Sequence, residues 1–285
     1  MLAVFRRAFY LRTDAGGIVG LGPAGLGPGP LYGLCELPEA ADWSRSGLAP
    51  GRAVAMDGDV LRVGPSFEFE WRSAPVWNPP RLPAHLHPDA LARGLRTLAD
   101  IAAAGRGGGL APLIPVIAGA RAPNGSDGDD PLRRRMLAGV RGIEGWLRSA
   151  LCAAPGECPA PGPAAAGLIG LGPGLTPSGD DFLGGVLIAL HAFGRVRAAA
   201  CLAGWVLPRA RSGTGAISLA HLACACEGEG IAPLHETLDA LARGRPDALA
   251  AAVERLSGIG HSSGWDALAG LACAVNGVRH EFASS

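Results

Sequence analysis

Hydrophobic and polar positions follow one rhythm over the first quarter of the chain and another over the rest. Up to about Trp77, short apolar runs are separated by turn chemistry: Ala3-Val4-Phe5, Gly17-Ile18-Val19, Leu31-Tyr32-Gly33-Leu34, Ala53-Val54-Ala55-Met56, Val60-Leu61-Arg62-Val63 and Phe67-Glu68-Phe69-Glu70-Trp71. Runs of this length between turn residues predict strands. Met56-Asp57-Gly58-Asp59-Val60 predicts a hairpin, because Asp-Gly suits the positive φ of a tight primed turn. After Trp77-Asn78-Pro79-Pro80 the apolar positions recur every three or four residues. Residues 88–104 and 131–151 each begin on a proline, which suits the first position of a helix, and Asp129 and Asp130 precede the second as cap candidates. Further helices are predicted near residues 181–193, 198–207, 216–227, 234–242, 247–256 and 266–278. The fold class is therefore α+β: a small antiparallel β domain over residues 1–78, then a mainly α-helical domain over residues 79–285. Three stretches rich in Gly, Pro and Ala, residues 105–109, 121–130 and 153–166, are expected to be mobile.

Composition narrows the functions available. The 285 residues carry a formal net charge of zero with 18% charged residues, so no global field attracts nucleic acid or an anionic membrane. The run Arg133-Arg134-Arg135 falls at the start of a helical pattern and reads as a solvated face. Arg6 and Arg7 interrupt the opening segment where a signal peptide needs its apolar stretch, which predicts a cytoplasmic protein. Residues 182–193 form the longest apolar segment and are too short to span a bilayer. The seven cysteines show no C-x-x-C pair and read as buried small hydrophobes in a reducing compartment. Cys224 and Cys226 would point about 200° apart on a helix and so would not chelate one ion. Gly20-Leu21-Gly22-Pro23-Ala24-Gly25 matches a dinucleotide fingerprint in letters only. That motif must open a helix, which Pro28 and Pro30 forbid, so a Gly/Pro connection is expected there.

The segment with chemical promise is Gly170-Leu171-Gly172-Pro173-Gly174-Leu175-Thr176-Pro177-Ser178-Gly179-Asp180-Asp181. Its glycines permit close backbone approach while Pro173 and Pro177 stiffen it, so it can present N–H groups in a fixed array. Ser178 precedes Asp181 by the three residues of a capping box, at the mouth of a strongly apolar helix whose positive end favours a phosphate or carboxylate. Asp180 is not needed for that box. Its carboxylate is read as free to take a proton, a metal or a substrate amide, and Asp180→Asn is expected to leave stability nearly unchanged. Ser178-Gly179-Asp180-Asp181-Phe182-Leu183-Gly184-Gly185 and Ser263-Gly264-Trp265-Asp266-Ala267-Leu268-Ala269-Gly270 share S-G-x-D-x-L-x-G without a gap. Two helix starts of one design predict a pseudo-symmetric pair converging on one pocket; chance likeness in a Gly- and Ala-rich chain is the alternative. His261, just ahead of the second start, is a candidate acid–base group. Ser212-Gly213-Thr214-Gly215-Ala216-Ile217-Ser218 is a candidate third wall, with His221 one turn on as a core residue.

These three segments, in this order, resemble the AllH family, described as a subunit of oxamate carbamoyltransferase. The likeness is close over the helical half and only in outline over the β half. Gly215 departs from it, standing where a second threonine or similar polar residue is expected. The resemblance implies transfer of a carbamoyl group between oxalurate and phosphate, with oxamate and carbamoyl phosphate as the other pair, within a cytoplasmic multi-subunit complex that includes AllF-type and AllG-type partners. On the residues themselves, Asp180 and His261 are the catalytic candidates. Gly172, Gly174, Thr176, Ser178, Gly179, Asp181, Thr214, Ser218, Ser262, Ser263 and Asp266 are the ligand-binding candidates. No cofactor or metal is expected. Two other readings stay open: a non-catalytic ligand-binding or scaffolding subunit, and a metal-assisted hydrolase or lyase acting on a small amide.

Overall fold

The computed structural model describes residues 1–36, 42–83, 86–105, 107–122, 130–154 and 156–284. It divides into two units, Met1–Asn78 and Pro79–Ser285.

The first unit holds two small sheets. One contains β1 (Ala3–Val4), β2 (Phe9–Arg12), β3 (Ile18–Pro23) and β4 (Tyr32–Cys35), hydrogen-bonded in that order. The other contains β5 (Val54–Asp57), β6 (Val60–Val63) and β7 (Phe67–Glu70). Asp57 pairs with Val60 across the predicted turn, where Gly58 has φ 59°. Phe9, Leu11, Leu21, Trp43, Leu61 and Val63 share one core, in which the Trp43 ring packs edge-on against Phe9. Three expectations need correcting. The first sheet is mixed, because β3 and β4 run parallel. β2 went unseen, since Ala8-Phe9-Tyr10-Leu11 is a continuous apolar run rather than an alternating one. The Gly20–Pro23 stretch is part of a buried strand, not a connection. Its glycines are there for space: a Cβ on Gly20 would lie 2.8 Å from the Tyr32 ring, and one on Gly22 would lie 2.8 Å from the Arg7 carbonyl.

The second unit is helical: α1 (Pro88–Ala104), α2 (Ile114–Ile117), α3 (Pro131–Leu151), α4 (Pro163–Ala166), α5 (Ser178–Ala192), α6 (Val196–Gly213), α7 (Ala216–Cys226), α8 (Ala232–Ala242), α9 (Pro246–Ser257) and α10 (Ser263–Ser284). Asp130 caps α3, accepting from the Leu132 and Arg133 amides at 3.2 and 3.3 Å; Asp129 lies outside the described residues. Helix α6 runs past Pro208, where the pattern suggested an end. Parts of the stretches expected to be mobile pack closely. Gly107 lies against the Trp265 ring, and Ala165 of α4 is fully buried. Residues 123–129, most of the stretch 121–130, lie outside the described residues. The reading of all seven cysteines as buried small hydrophobes is also corrected, since Cys158 and Cys201 form a disulfide and Cys152 is exposed. No helix among the described residues is long and apolar enough to cross a membrane.

Helices α5 and α10 form the centre of this unit. Phe182, Leu183, Val186, Leu187 and Leu190 of α5 are completely buried, as are Leu268, Leu271, Ala272, Val275 and Val278 of α10. The two helices touch backbone to backbone. A Cβ on Gly185 would lie 2.1 Å from the Ala267 carbonyl oxygen and 3.0 Å from the Leu271 nitrogen. A Cβ on Gly270 would lie 1.9 Å from the Phe182 carbonyl oxygen and 3.0 Å from the Val186 nitrogen. Under the S-G-x-D-x-L-x-G alignment Gly185 matches Gly270, Phe182 matches Ala267, and Val186 matches Leu271, so each half meets the other through equivalent atoms.

That contact gives a sharp expectation. Gly185→Ala or Gly270→Ala should destabilise the helical unit by about 3 kcal/mol or more, because a methyl group has no room against a carbonyl oxygen. Gly184→Ala is the control on the neighbouring position, where a Cβ would sit 3.7 Å from the Ala225 methyl. Helix propensity there favours alanine by up to about 1 kcal/mol. Urea denaturation of the three variants checks this, and equal effects at positions 184 and 185 would contradict the close crossing.

Candidate functional site

The reciprocal crossing of α5 and α10 brings their first turns together. The hydroxyls of Thr176 and Ser263 hydrogen-bond to each other at 2.8 Å, across 87 positions of sequence. Side chains then cross between the helices. Ser263, which opens α10, hydrogen-bonds to the Asp181 carboxyl of α5, as does Thr176. Ser178, which opens α5, and Ser262 both lie on the Asp266 carboxyl of α10. Each S-G-x-D motif thus offers its serine to the aspartate of the other.

The capping box within one helix does not form. Pro177 occupies the N-cap of α5 with φ −56° and ψ 142°, placing Ser178 inside the first turn, and no side chain caps the end. Pro177 instead offers its carbonyl oxygen to the Asp180 and Asp181 amides at 2.9 and 3.1 Å, and the Gly179 amide bonds to Leu171 at 2.9 Å. Three amides of the first turn are therefore already used, which limits this helix end as a bare anion cradle. Donors also come from the hydroxyls of Thr176, Ser262 and Ser263, all half-buried.

Asp181 and Asp266 are poorly satisfied. Asp266 is 0% exposed; its Oδ1 accepts the Leu110 amide at 2.7 Å, while Oδ2 has no hydrogen-bond partner of good geometry. Asp181 is half-buried as a residue, yet its Oδ2 is buried and likewise without a partner. Burial pushes the Asp181 carboxyl well above the usual carboxylate range; the charges of Asp266 and Asp180 add to this, and the Ser263 and Thr176 hydroxyls oppose it. Burial also raises Asp266, against the Leu110 amide and the Ser262 and Ser178 hydroxyls.

Asp180 behaves differently and corrects the reading of a free carboxylate. It is 2% exposed. Its Oδ1 accepts the Gly170 amide at 2.9 Å, and its Oδ2 accepts the hydroxyls of Thr214 at 2.5 Å and Ser218 at 2.7 Å. It ties the start of the Gly-rich loop to the α6–α7 junction, and the backbone there is tight, since a Cβ on Gly170 would lie 2.1 Å from the Gly213 carbonyl oxygen. Thr214 and Ser218 therefore serve Asp180.

The remaining candidates divide accordingly. Gly172, at φ 117°, leaves 2.9 Å between its would-be Cβ and the Ser178 nitrogen. Gly179 must be glycine because a Cβ would lie 1.9 Å from the Leu168 carbonyl oxygen, just as Gly264 meets Leu256 at 1.9 Å. Gly174 and the neighbouring Leu175, 41% exposed, form the outer tip of the loop. His261 is exposed and makes no hydrogen bond to either carboxyl cluster. His221 is half-buried, and burial lowers its pKa to about 4. Sequence reasoning missed the Gly107-Gly108-Gly109-Leu110 segment. A Cβ on Gly109 would lie 2.2 Å from Asp266 Oδ1, so the run taken for a mobile linker closes over that carboxyl. Its signal was a glycine run leading straight into an apolar segment, as before both helix starts. A cleft of about 290 Å³ lined by Ala102, Gly105, Pro112 and Arg121 among others includes neither aspartate. Among the described residues no group of three or more His, Cys, Asp or Glu is placed to hold a metal ion.

Residues 168–275 match the model of the AllH family, oxamate carbamoyltransferase subunit AllH. The AllH match takes in α5 to α9, most of α10 and every sequence-derived site candidate, and stops short of the β unit and of α1 to α4. Both carboxyl clusters fall inside it, whereas Leu110, which donates to Asp266, falls outside. No solved structure matches the chain.

The two clusters should respond differently to substitution. Asp180→Asn places an amide nitrogen among three donors and should cost about 1–3 kcal/mol in urea denaturation. Asp181 and Asp266 hold a proton more tightly folded than unfolded, so the stability they contribute is complete below the ordinary carboxylate pKa of about 4 and is lost as pH rises through their raised values. Asp181→Asn and Asp266→Asn should each flatten that decline as pH rises above about 4. Parallel curves for variants and wild type would show that the carboxyls are not strained.

Proposed function

We propose that the chain is the AllH-type subunit of an oxamate carbamoyltransferase complex, and that it binds a small ligand bearing carboxylate or phosphate oxygens and an amide where α5 and α10 begin. The observation that carries this reading is that the family match contains two pseudo-equivalent helix starts whose hydroxyls and incompletely bonded carboxyls face one another. Phosphate oxygens would take hydroxyl donors from Thr176, Ser262 and Ser263, and the N–H groups of an amide would take carboxyl acceptors.

The proposed reaction breaks the bond between the carbamoyl carbon of oxalurate and the oxamate nitrogen, forms a bond from that carbon to a phosphate oxygen, and delivers a proton to the departing nitrogen. Asp181 replaces Asp180 as the proposed proton-carrying residue. Its buried oxygen is unpartnered and its proton is tightly held, whereas both Asp180 oxygens are engaged. His261 is a second proposed acid–base group, on the exposed side. AllF-type and AllG-type subunits are the proposed partners and the cytoplasm the proposed location. A second reading, a non-catalytic ligand-binding subunit, draws on the same geometry: the aspartates take donors from other segments of the same chain, Asp180 from Gly170, Thr214 and Ser218 and Asp266 from Leu110, so partner subunits would supply the rest of the active site.

Calorimetric titration of the isolated chain with oxamate, oxalurate and carbamoyl phosphate should show weak binding of at least one of them. Phosphate-dependent oxalurate cleavage should appear only when partner subunits are present. Full turnover by the isolated chain would remove the multi-subunit reading, and absence of binding by the assembled complex would remove the substrate class.

A further inference from the structure

The two unpartnered oxygens are the least expected feature of the molecule. Buried carboxylate oxygens ordinarily find donors, because leaving one unbonded away from water is costly. Here two such atoms, Asp181 Oδ2 and Asp266 Oδ2, occur at equivalent positions of a pseudo-symmetric pair. The two helix starts touch through the 2.8 Å hydrogen bond between Thr176 and Ser263, and the charge on Asp266 raises the Asp181 carboxyl. The donors around the two carboxyls are hydroxyls and one amide, Thr176, Ser178, Ser262, Ser263 and the Leu110 N–H, and Asp180 adds a further carboxyl beside Asp181. Among the described residues no lysine, arginine or histidine acts on either acid. What is lacking is a well-aligned donor to one oxygen of each acid, and the two acceptors call for two N–H groups on one ligand.

We propose that Asp181 and Asp266 jointly accept the N–H groups of a primary amide or ureido ligand, and that this pair makes the site choose an amide over a carboxylate of the same shape. The inference rests on the reading that a small amide is bound here. It goes further by assigning selectivity to two named residues. An amide nitrogen offers two donors to two acceptors. A carboxylate in the same place offers none and brings another negative charge against two acids that already resist ionisation. Sites built to hydrogen-bond a ligand group reject analogues lacking it strongly, because their own polar atoms are then left unpaired. Asp181 is half-buried next to the half-buried Thr176 and the exposed residues 173–175, whereas Asp266 is 0% exposed.

Oxamate and oxalate differ in one substitution, an amide for a carboxylate, and are the probes. Each is titrated by calorimetry into the assembled complex at pH 8 with wild type, Asp181→Asn and Asp266→Asn. Wild type should prefer oxamate by about tenfold or more, and both variants, which can donate as well as accept, should bring the preference within about threefold. Thermal melts accompany each protein; should Asp266→Asn fail to fold, Asp181→Asn, at the half-buried position, decides alone. Oxamate binding with the preference intact in folded variants overturns this inference and leaves the proposed function standing. Wild type binding both ligands equally does the same, as does oxamate binding that requires Mg²⁺ when Mg²⁺ alone binds the chain, since the carboxyls would then be metal ligands. Failure of the complex to bind either ligand removes the proposed function and this inference together.

Discussion

The backbone contact between α5 and α10 is the constraint on which the site depends. Helices normally meet through side chains with axes about 8–10 Å apart, and only glycine at the crossing brings peptide groups into direct touch. Gly185 and Gly270 do this for each other, each against the carbonyl that corresponds to its partner's. Once the crossing is fixed, geometry leaves little freedom upstream: the starts of both helices must meet, and Thr176 must reach Ser263. Gly179 and Gly264 repeat the device one level out, each giving way to a carbonyl of the preceding segment. The chemistry of the site follows from a packing requirement satisfied by four small residues.

Two carboxyls at the meeting point are expensive in a way that packing does not explain. Apolar residues of similar volume would serve a purely structural crossing as well or better, because desolvating an acid is repaid only by full hydrogen bonding. The positive ends of two helices and several hydroxyls repay part of that cost. One oxygen of each acid is still left unbonded, and burial holds the protons on more tightly than usual. A half-satisfied polar cluster of this kind fits the ligand site proposed above.

Asp180 shows the opposite design one residue away. Its oxygens take three donors drawn from the loop, the end of α6 and the start of α7, so it works as a fixed post that positions Gly170 and the loop after it. Adjacent aspartates thus divide the labour, one holding the loop in shape and the other facing the second helix. They point to different surroundings because successive helix residues are rotated by about 100°.

Much of this was legible in the residues alone. The change from short apolar runs to a three-to-four-residue period places the boundary between β and α regions, because each period is a direct consequence of strand or helix geometry. Prolines at their first positions mark α1 and α3, and the repeated S-G-x-D-x-L-x-G marks two helix starts of one kind. Local pattern could not say which aspartate of the pair carries the unpaired oxygen, because that depends on which donors distant segments bring: Thr214 and Ser218 to Asp180, Ser263 to Asp181, Leu110 to Asp266. Nor could it foresee that the serines would cross from one helix to the other, or that Pro177 would displace Ser178 from the cap. The parallel pairing of β3 with β4 and the Cys158–Cys201 bridge were hidden for the same reason. Periodicity and turn chemistry act over a few residues, and the sequence determines elements on that scale; hydrogen-bond partners are chosen by whichever groups the folded chain brings within about 3 Å, and only the tertiary structure decides those.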